Sequence, residues 1–207
     1  MLIRLRKRRI VLVRGLLCLT LLSPAVARAE RRSIDVEQSV MKVYVDKSGL
    51  FSVFAHDHEI LAPITLGVID DSESPSVEFL VETARMQVLD PKVSEKDRAE
   101  IQQTMLGPQV LEVQLYPEIR FQSTAVERAG EGRWVVRGNV LLRGVTRPVT
   151  VQVSEERAAE EGIRYRGSAT LKQTDFGIKP VSLFGGTVKV KDVVRIEFEI
   201  VPGSARR

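Results

Sequence analysis

Apolar and polar side chains alternate one for one along most of this chain, and a period of two admits little except half-buried β-strand. Val77, Phe79 and Val81 alternate with Glu78, Leu80 and Glu82, and Ile119, Phe121 and Ser123 with Arg120, Gln122 and Thr124. The same rhythm returns in Trp134, Val136, Val140 and Leu142, in Val149, Val151 and Val153, in Tyr165, Ala169 and Leu171, and in Ile196, Phe198 and Ile200. Turn residues divide the runs at 70–75, Gly130-Glu131-Gly132, Gly144, Glu160-Glu161-Gly162 and Gly185-Gly186, a spacing that suits successive antiparallel hairpins. One segment departs from the rule. Asp90-Pro91 ends a strand, Ser94 reads as an N-cap with Asp97 three residues on, and Ala99, Ile101, Met105 and Leu106 recur at helical spacing until Gly107-Pro108. The pattern predicts about eight antiparallel strands or more, with one helical excursion over residues 94–111. So many consecutive strands are best protected by closing on themselves, which makes a β-barrel the first expectation and a sandwich the second. An eight-stranded barrel is just wide enough either to be filled by side chains or to hold one small ligand.

Residues 1–29 follow another plan: a start rich in arginine, an apolar run over 15–22, and Ala27-Arg28-Ala29 as a small-residue cleavage site. This is the layout of a cleaved export signal, so residues 30–207 are expected to be one mature domain in the periplasm or outside the cell. The apolar run is too short for a hydrocarbon core of about 30 Å, so no permanent membrane span is expected. Arg8-Arg9 leaves a twin-arginine route open. Removing the signal changes the charge argument. Seven of the 31 Lys and Arg and none of the 27 Asp and Glu lie in residues 1–29, leaving 24 against 27, or −3. Nucleic-acid binding needs a basic stripe, and this mature chain has none. The single cysteine, Cys18, lies within the signal, and Gly15-Leu16-Leu17 before it is a poor site for lipid attachment. The mature domain must therefore hold together by packing and strand pairing, without disulfides.

The only two histidines, His56 and His58, stand two apart, which in a strand puts both rings on one face. Such a pair could clasp Zn²⁺ or Cu²⁺, touch a ligand head group, or be satisfied structurally by neighbouring strands. With no cysteine and no third histidine, the remaining ligands of a metal site would have to be carboxylates or water. No metal is expected. Asp175-Phe176-Gly177 lacks the phosphate loop and catalytic loop of a kinase and reads as a turn, while no G-x-S-x-G elbow exists for a serine nucleophile. Gly185-Gly186 reads as a hairpin or bulge, and the helix over 94–111 as a cover, plug or mobile lid.

Four segments stand in order along the chain: Tyr116-Pro117-Glu118-Ile119-Arg120-Phe121-Gln122-Ser123-Thr124, then Leu142-Arg143-Gly144-Val145-Thr146-Arg147-Pro148-Val149, then Thr174-Asp175-Phe176-Gly177-Ile178, and finally Val190-Lys191-Asp192-Val193-Val194-Arg195-Ile196-Glu197-Phe198. Together they resemble the YceI-like family of exported lipid- or polyisoprenoid-binding proteins. The family's early histidine falls in residues 54–67, where the distance to Gly67 favours His58. The resemblance implies an all-β, antiparallel, lipocalin-like barrel whose lumen takes an isoprenoid, quinone-like or other amphiphilic lipid, without a cofactor and without catalysis. On that reading the inward, ligand-lining residues are Phe54, Phe79, Val81, Phe121, Trp134, Val136, Val140, Phe176 and Phe184, with His56 and His58 near the polar end. A homodimer is compatible with the sequence. The competing readings are a metal-dependent enzyme or redox accessory built on His56 and His58, and a filled barrel acting as an interaction module.

Overall fold

The structure, a computed structural model, describes residues 31–48, 57–158, 162–183 and 188–204. The export signal at 1–29, Phe54, His56, Phe184 and the Gly185-Gly186 pair lie outside the described residues.

The alternating runs form the strands they predict. β1 (Arg31–Ser33) and β2 (Val40–Val45) follow one line interrupted by a turn over 35–39, and β3 (Lys47–Ser48) continues it. β4 (His58–Leu61) and β5 (Leu66–Asp70) return along that line, with β2 against β4 and β1 against β5. β6 (Ser76–Glu82) and β7 (Gln87–Val88), separated by a 3-10 turn at Thr83–Arg85, pair in turn with β5 and β4. After the helix α1 (Glu95–Leu106) come β8 (Glu118–Gly130), β9 (Arg133–Leu142), β10 (Val145–Ala158) and β11 (Gly162–Lys172) as consecutive antiparallel hairpins. β12 (Ser182–Leu183) and β13 (Val188–Val190) make a small separate sheet with β3, and β14 (Val193–Ile200) joins β11 to β2.

The circuit β1–β5–β6–β8–β9–β10–β11–β14 then closes. Ile34, just after β1, bridges Pro202, just after β14. Asp35 N–H donates to the Val201 carbonyl at 2.8 Å, and Gly203 N–H to the Ser33 carbonyl at 2.7 Å. Closure leaves β14 three residues to match six on the β1–β2 line, and the turn over 35–39 absorbs the excess. Its buried Ser39 hydroxyl donates to the Asp35 carbonyl at 2.6 Å and accepts Val201 N–H at 3.0 Å. The result is an eight-stranded antiparallel barrel, with β2, β4 and β7 extending its wall at one end.

That extended end is the more solidly packed. Val81 is buried there with Met105 of α1 and Leu111 of the chain that follows it, and Phe176 and Ile178 are buried in the cluster against which Val110 packs. The helix begins as read, with Ser94 Oγ accepting Asp97 N–H at 3.2 Å. It stops at Leu106 instead of running to 111, because Gly107 turns extended ahead of Pro108, and turns carry the chain on to Leu115. Gln102 fastens the helix to the barrel by accepting Val88 N–H at 2.7 Å and donating to the Met86 carbonyl at 2.8 Å. No helix of the described residues is long and apolar enough to cross a membrane.

Candidate ligand-binding lumen

Period-2 geometry sends one set of side chains from every strand into the barrel. At the end away from α1 those side chains do not meet. They leave an apolar cavity of about 170 Å³ walled by Ile69 and Val77, Phe79 and Phe121, Val126, Trp134 and Val136, Val151 and Val153, and Tyr165, Phe198 and Ile200. Its floor is aromatic, with the Phe79 and Phe121 rings stacked at 5.2 Å between centroids.

The rings can lie flat against the wall because the adjoining strands carry glycine. A Cβ at Gly138 would stand 2.5 Å from Phe121 Cζ, and one at Gly167 would stand 2.4 Å from the Cζ of Phe198, its direct cross-strand partner. Any side chain at these two positions would push a ring into the lumen. Glycine within these strands therefore preserves the room that large aromatics would otherwise fill.

The mouth of this cavity is polar. Asp70, Asp71 and Ser72 of the β5–β6 turn border it. Asp70 is held below the usual carboxylate range by hydrogen bonds from Ser72, whose N–H lies at 2.9 Å. Asp71 pairs with Arg32 at 2.6 Å. Across the mouth, Glu155 accepts Trp134 Nε1–H at 3.1 Å and Arg157 Nε–H at 2.6 Å, and its side chain is only 7% exposed. Arg128 lies over the Trp134 ring at 4.9 Å. Tyr165 sits opposite Glu155 in the ladder, and burial, followed by the Glu155 charge, raises its phenol above the usual value. It remains a neutral hydroxyl and a hydrogen-bond donor at ordinary pH. The Nε of Arg32 is shielded from solvent and has no hydrogen-bond partner among the described residues.

Of the residues singled out from the sequence, Phe79, Phe121, Trp134 and Val136 share this cavity. Val81, Val140 and Phe176 are also buried, but in the packing beneath it and not in its wall. His58 is elsewhere. It pairs with Val45 at the opposite end of the line that carries Asp70, and its Nδ1 lies 2.7 Å from Asp90 Oδ2. Asp90 is almost fully buried and also accepts Glu59 N–H at 2.8 Å, so the pair ties β4 to the chain leaving β7. His58 thus stands at the end of the barrel away from the polar mouth of this cavity. No cluster of three or more His, Cys, Asp or Glu among the described residues is arranged to share a metal ion.

Sequence reading missed Ile69, Val77, Val126, Val151, Val153, Tyr165, Phe198, Ile200 and the Asp70 turn. For most of them the signal was present as strand parity. For Phe198 it was also the glycine across the ladder.

Apart from Phe121 and Phe198, the segments that carried the family resemblance lie outside the wall of this cavity, where they brace turns. The carbonyls of Tyr116 and Pro117 accept the Thr83 hydroxyl and N–H, both at 2.9 Å. Arg143 donates to the carbonyls of Pro108 at 2.9 Å and Gly177 at 3.3 Å and pairs with Glu112 at 2.8 Å. Asp192 caps the turn before Phe176, accepting Thr174 N–H at 2.9 Å and the Thr174 hydroxyl at 2.7 Å.

Known proteins share this architecture. Burkholderia cenocepacia BcnA superposes with a TM-score of 0.63 at 17% identity, over 81% of this chain and 98% of that one. A polyisoprenoid binding domain from Saccharophagus degradans superposes with 0.57 at 11% identity, over 86% and 100%. A UPF0312 protein of Pseudomonas savastanoi pv. phaseolicola is 39% identical over 74 residues, which span 33% of this chain and 38% of that protein. The family description of the YceI-like domain matches residues 33–201, from one side of the barrel seam to the other, and the chain belongs to the YceI-like family.

Proposed function

We propose that this protein is an exported, non-enzymatic carrier that holds an isoprenoid, quinone-like or other amphiphilic lipid in the barrel, in the periplasm or outside the cell. The observation that carries the reading is the cavity itself: an apolar chamber inside a closed barrel, floored by aromatic rings and opening at a polar mouth. The Saccharophagus domain described as polyisoprenoid-binding has the same fold, which supports the choice of ligand class by analogy.

The size of the chamber bears on how the ligand sits. At about 170 Å³ it is near the roughly 150 Å³ of an apolar cavity that takes a benzene ring, so it accepts one ring or about six carbons of chain. At about 0.8 kcal/mol per CH₂, six carbons contribute roughly 5 kcal/mol before the cost of association. Useful affinity therefore also needs the polar groups at the mouth. Phe79, Phe121, Trp134 and Val136 would form the ligand wall.

Trp134, the only tryptophan of the chain, lies in that wall and reports on it directly. Titration of the mature protein with isoprenoid alcohols should change its fluorescence saturably, and native mass spectrometry of protein purified from its host should reveal a co-purifying lipid. A ligand-free protein whose Trp134 ignores every isoprenoid would overturn the carrier reading. Cell fractionation tests the exported location.

A further inference from the structure

We propose that the mouth of the lumen selects lipids with an uncharged, oxygen-bearing head group, a hydroxyl or carbonyl, over lipids of the same tail that carry phosphate. The inference rests on the carrier reading and names its ligand class. A phosphate head needs cations that are not already committed, and of the three at the mouth two are ion-paired and the third lies on a ring. Arg32 is paired with Asp71, Arg157 with Glu155, and Arg128 is engaged by the Trp134 ring. Against these three cations stand Asp70 and Asp71 at the rim and the nearly buried Glu155, so the mouth carries no excess of positive charge. A phosphate there would meet like charge in a setting of reduced dielectric, and it would have to break an ion pair to gain a partner.

An uncharged oxygen meets neither penalty, and a donor in the wall suits it. The Tyr165 hydroxyl lines the cavity and stays protonated. Arg32, whose Nε lacks an acceptor among the described residues, stands opposite Ile69 of that wall in the β1–β5 ladder.

The test uses the mature protein with geraniol and geranyl phosphate, which share a ten-carbon tail, each titrated by Trp134 fluorescence and calorimetry. Geraniol should bind at least about tenfold more tightly than the phosphate at low ionic strength. Asp71→Asn, which frees Arg32 while leaving the strands untouched, should narrow that gap or reverse it. Equal or tighter binding of geranyl phosphate by the unaltered protein overturns the inference and leaves the carrier reading standing. An Asp71→Asn protein of native circular dichroism with an unchanged gap also overturns it. If neither compound binds, this inference fails, and the carrier reading fails with it only where Trp134 ignores longer isoprenoids as well.

Discussion

At the scale of single residues, glycine and buried polar groups decide more than the large apolar side chains do. Gly167 has no space for a Cβ beside Phe198, so Gly167→Ala should destabilise the barrel by about 1–3 kcal/mol in urea unfolding. The displaced ring should also blunt the response of Trp134 to ligand. Asp90 serves a different end of the molecule: it holds His58 and Glu59 N–H with a side chain only 1% exposed. Asp90→Ala should cost about 1–3 kcal/mol of stability through the unpaired groups it leaves, while isoprenoid affinity stays unchanged. A loss of binding without a loss of stability would instead return the histidine to the ligand site. On the outer surface, Glu199 is lowered from its ordinary 4.5 first by its hydrogen bond from Arg166, then by Arg164. A carboxylate lowered in the folded state stabilises above its unfolded value, and that contribution disappears as pH falls through the folded one. Thermal unfolding between pH 6 and pH 3 should therefore show a steeper acid loss in the native protein than in Glu199→Gln.

Among elements, the end bearing α1 depends on one tight hairpin. β9 and β10 are joined by Arg143 and Gly144 with φ of 51° and 72°, the two left-handed residues of the turn that matches strand twist. Arg143 accepts that conformation and reaches three carbonyl or carboxylate partners on the 107–115 chain and the Gly177 turn. Glu112, its ion-pair partner, is the other residue besides glycine with positive φ among those described, so two strained positions lock each other. Arg143→Asn keeps a residue tolerant of the turn but removes the clamp. It should cost about 1–2 kcal/mol and speed amide exchange over residues 107–115, with β8–β11 still protected.

For the whole molecule, closure is the property that matters, since an open sheet would expose two edges and lose the chamber. The seam rests on a few backbone bonds and on Ser39, whose hydroxyl takes Val201 N–H. Ser39→Ala should destabilise the barrel by about 1–3 kcal/mol and raise exchange selectively at residues 31–35 and 200–203; uniform exchange would show that the seam is not a separate weak line. The resemblance and the fold were both legible in the sequence, because alternation, turn residues and a capped helix are local signals that each strand carries for itself. Tyr116-Pro117, Arg143-Gly144 and Asp192 could be recognised for the same reason: they brace fixed turns, and only particular residues can do so. The lumen was legible in part. Parity pointed Phe79, Phe121, Trp134 and Val136 inward, yet the same parity pointed Val81 and Val140 inward too, and nothing local says at what height a barrel is filled. That depends on which strands neighbour each other around the ring, on α1 and Phe176 plugging one end, and on Gly138 and Gly167 drawing rings against the wall at the other. The sequence alone thus determined the strands, their inward faces and the family, because those follow from side-chain period and turn chemistry. Only the tertiary structure decided where the cavity opens, which charges face it, and that His58 stands at the far end, because these are relations between residues distant in sequence that register and closure bring together.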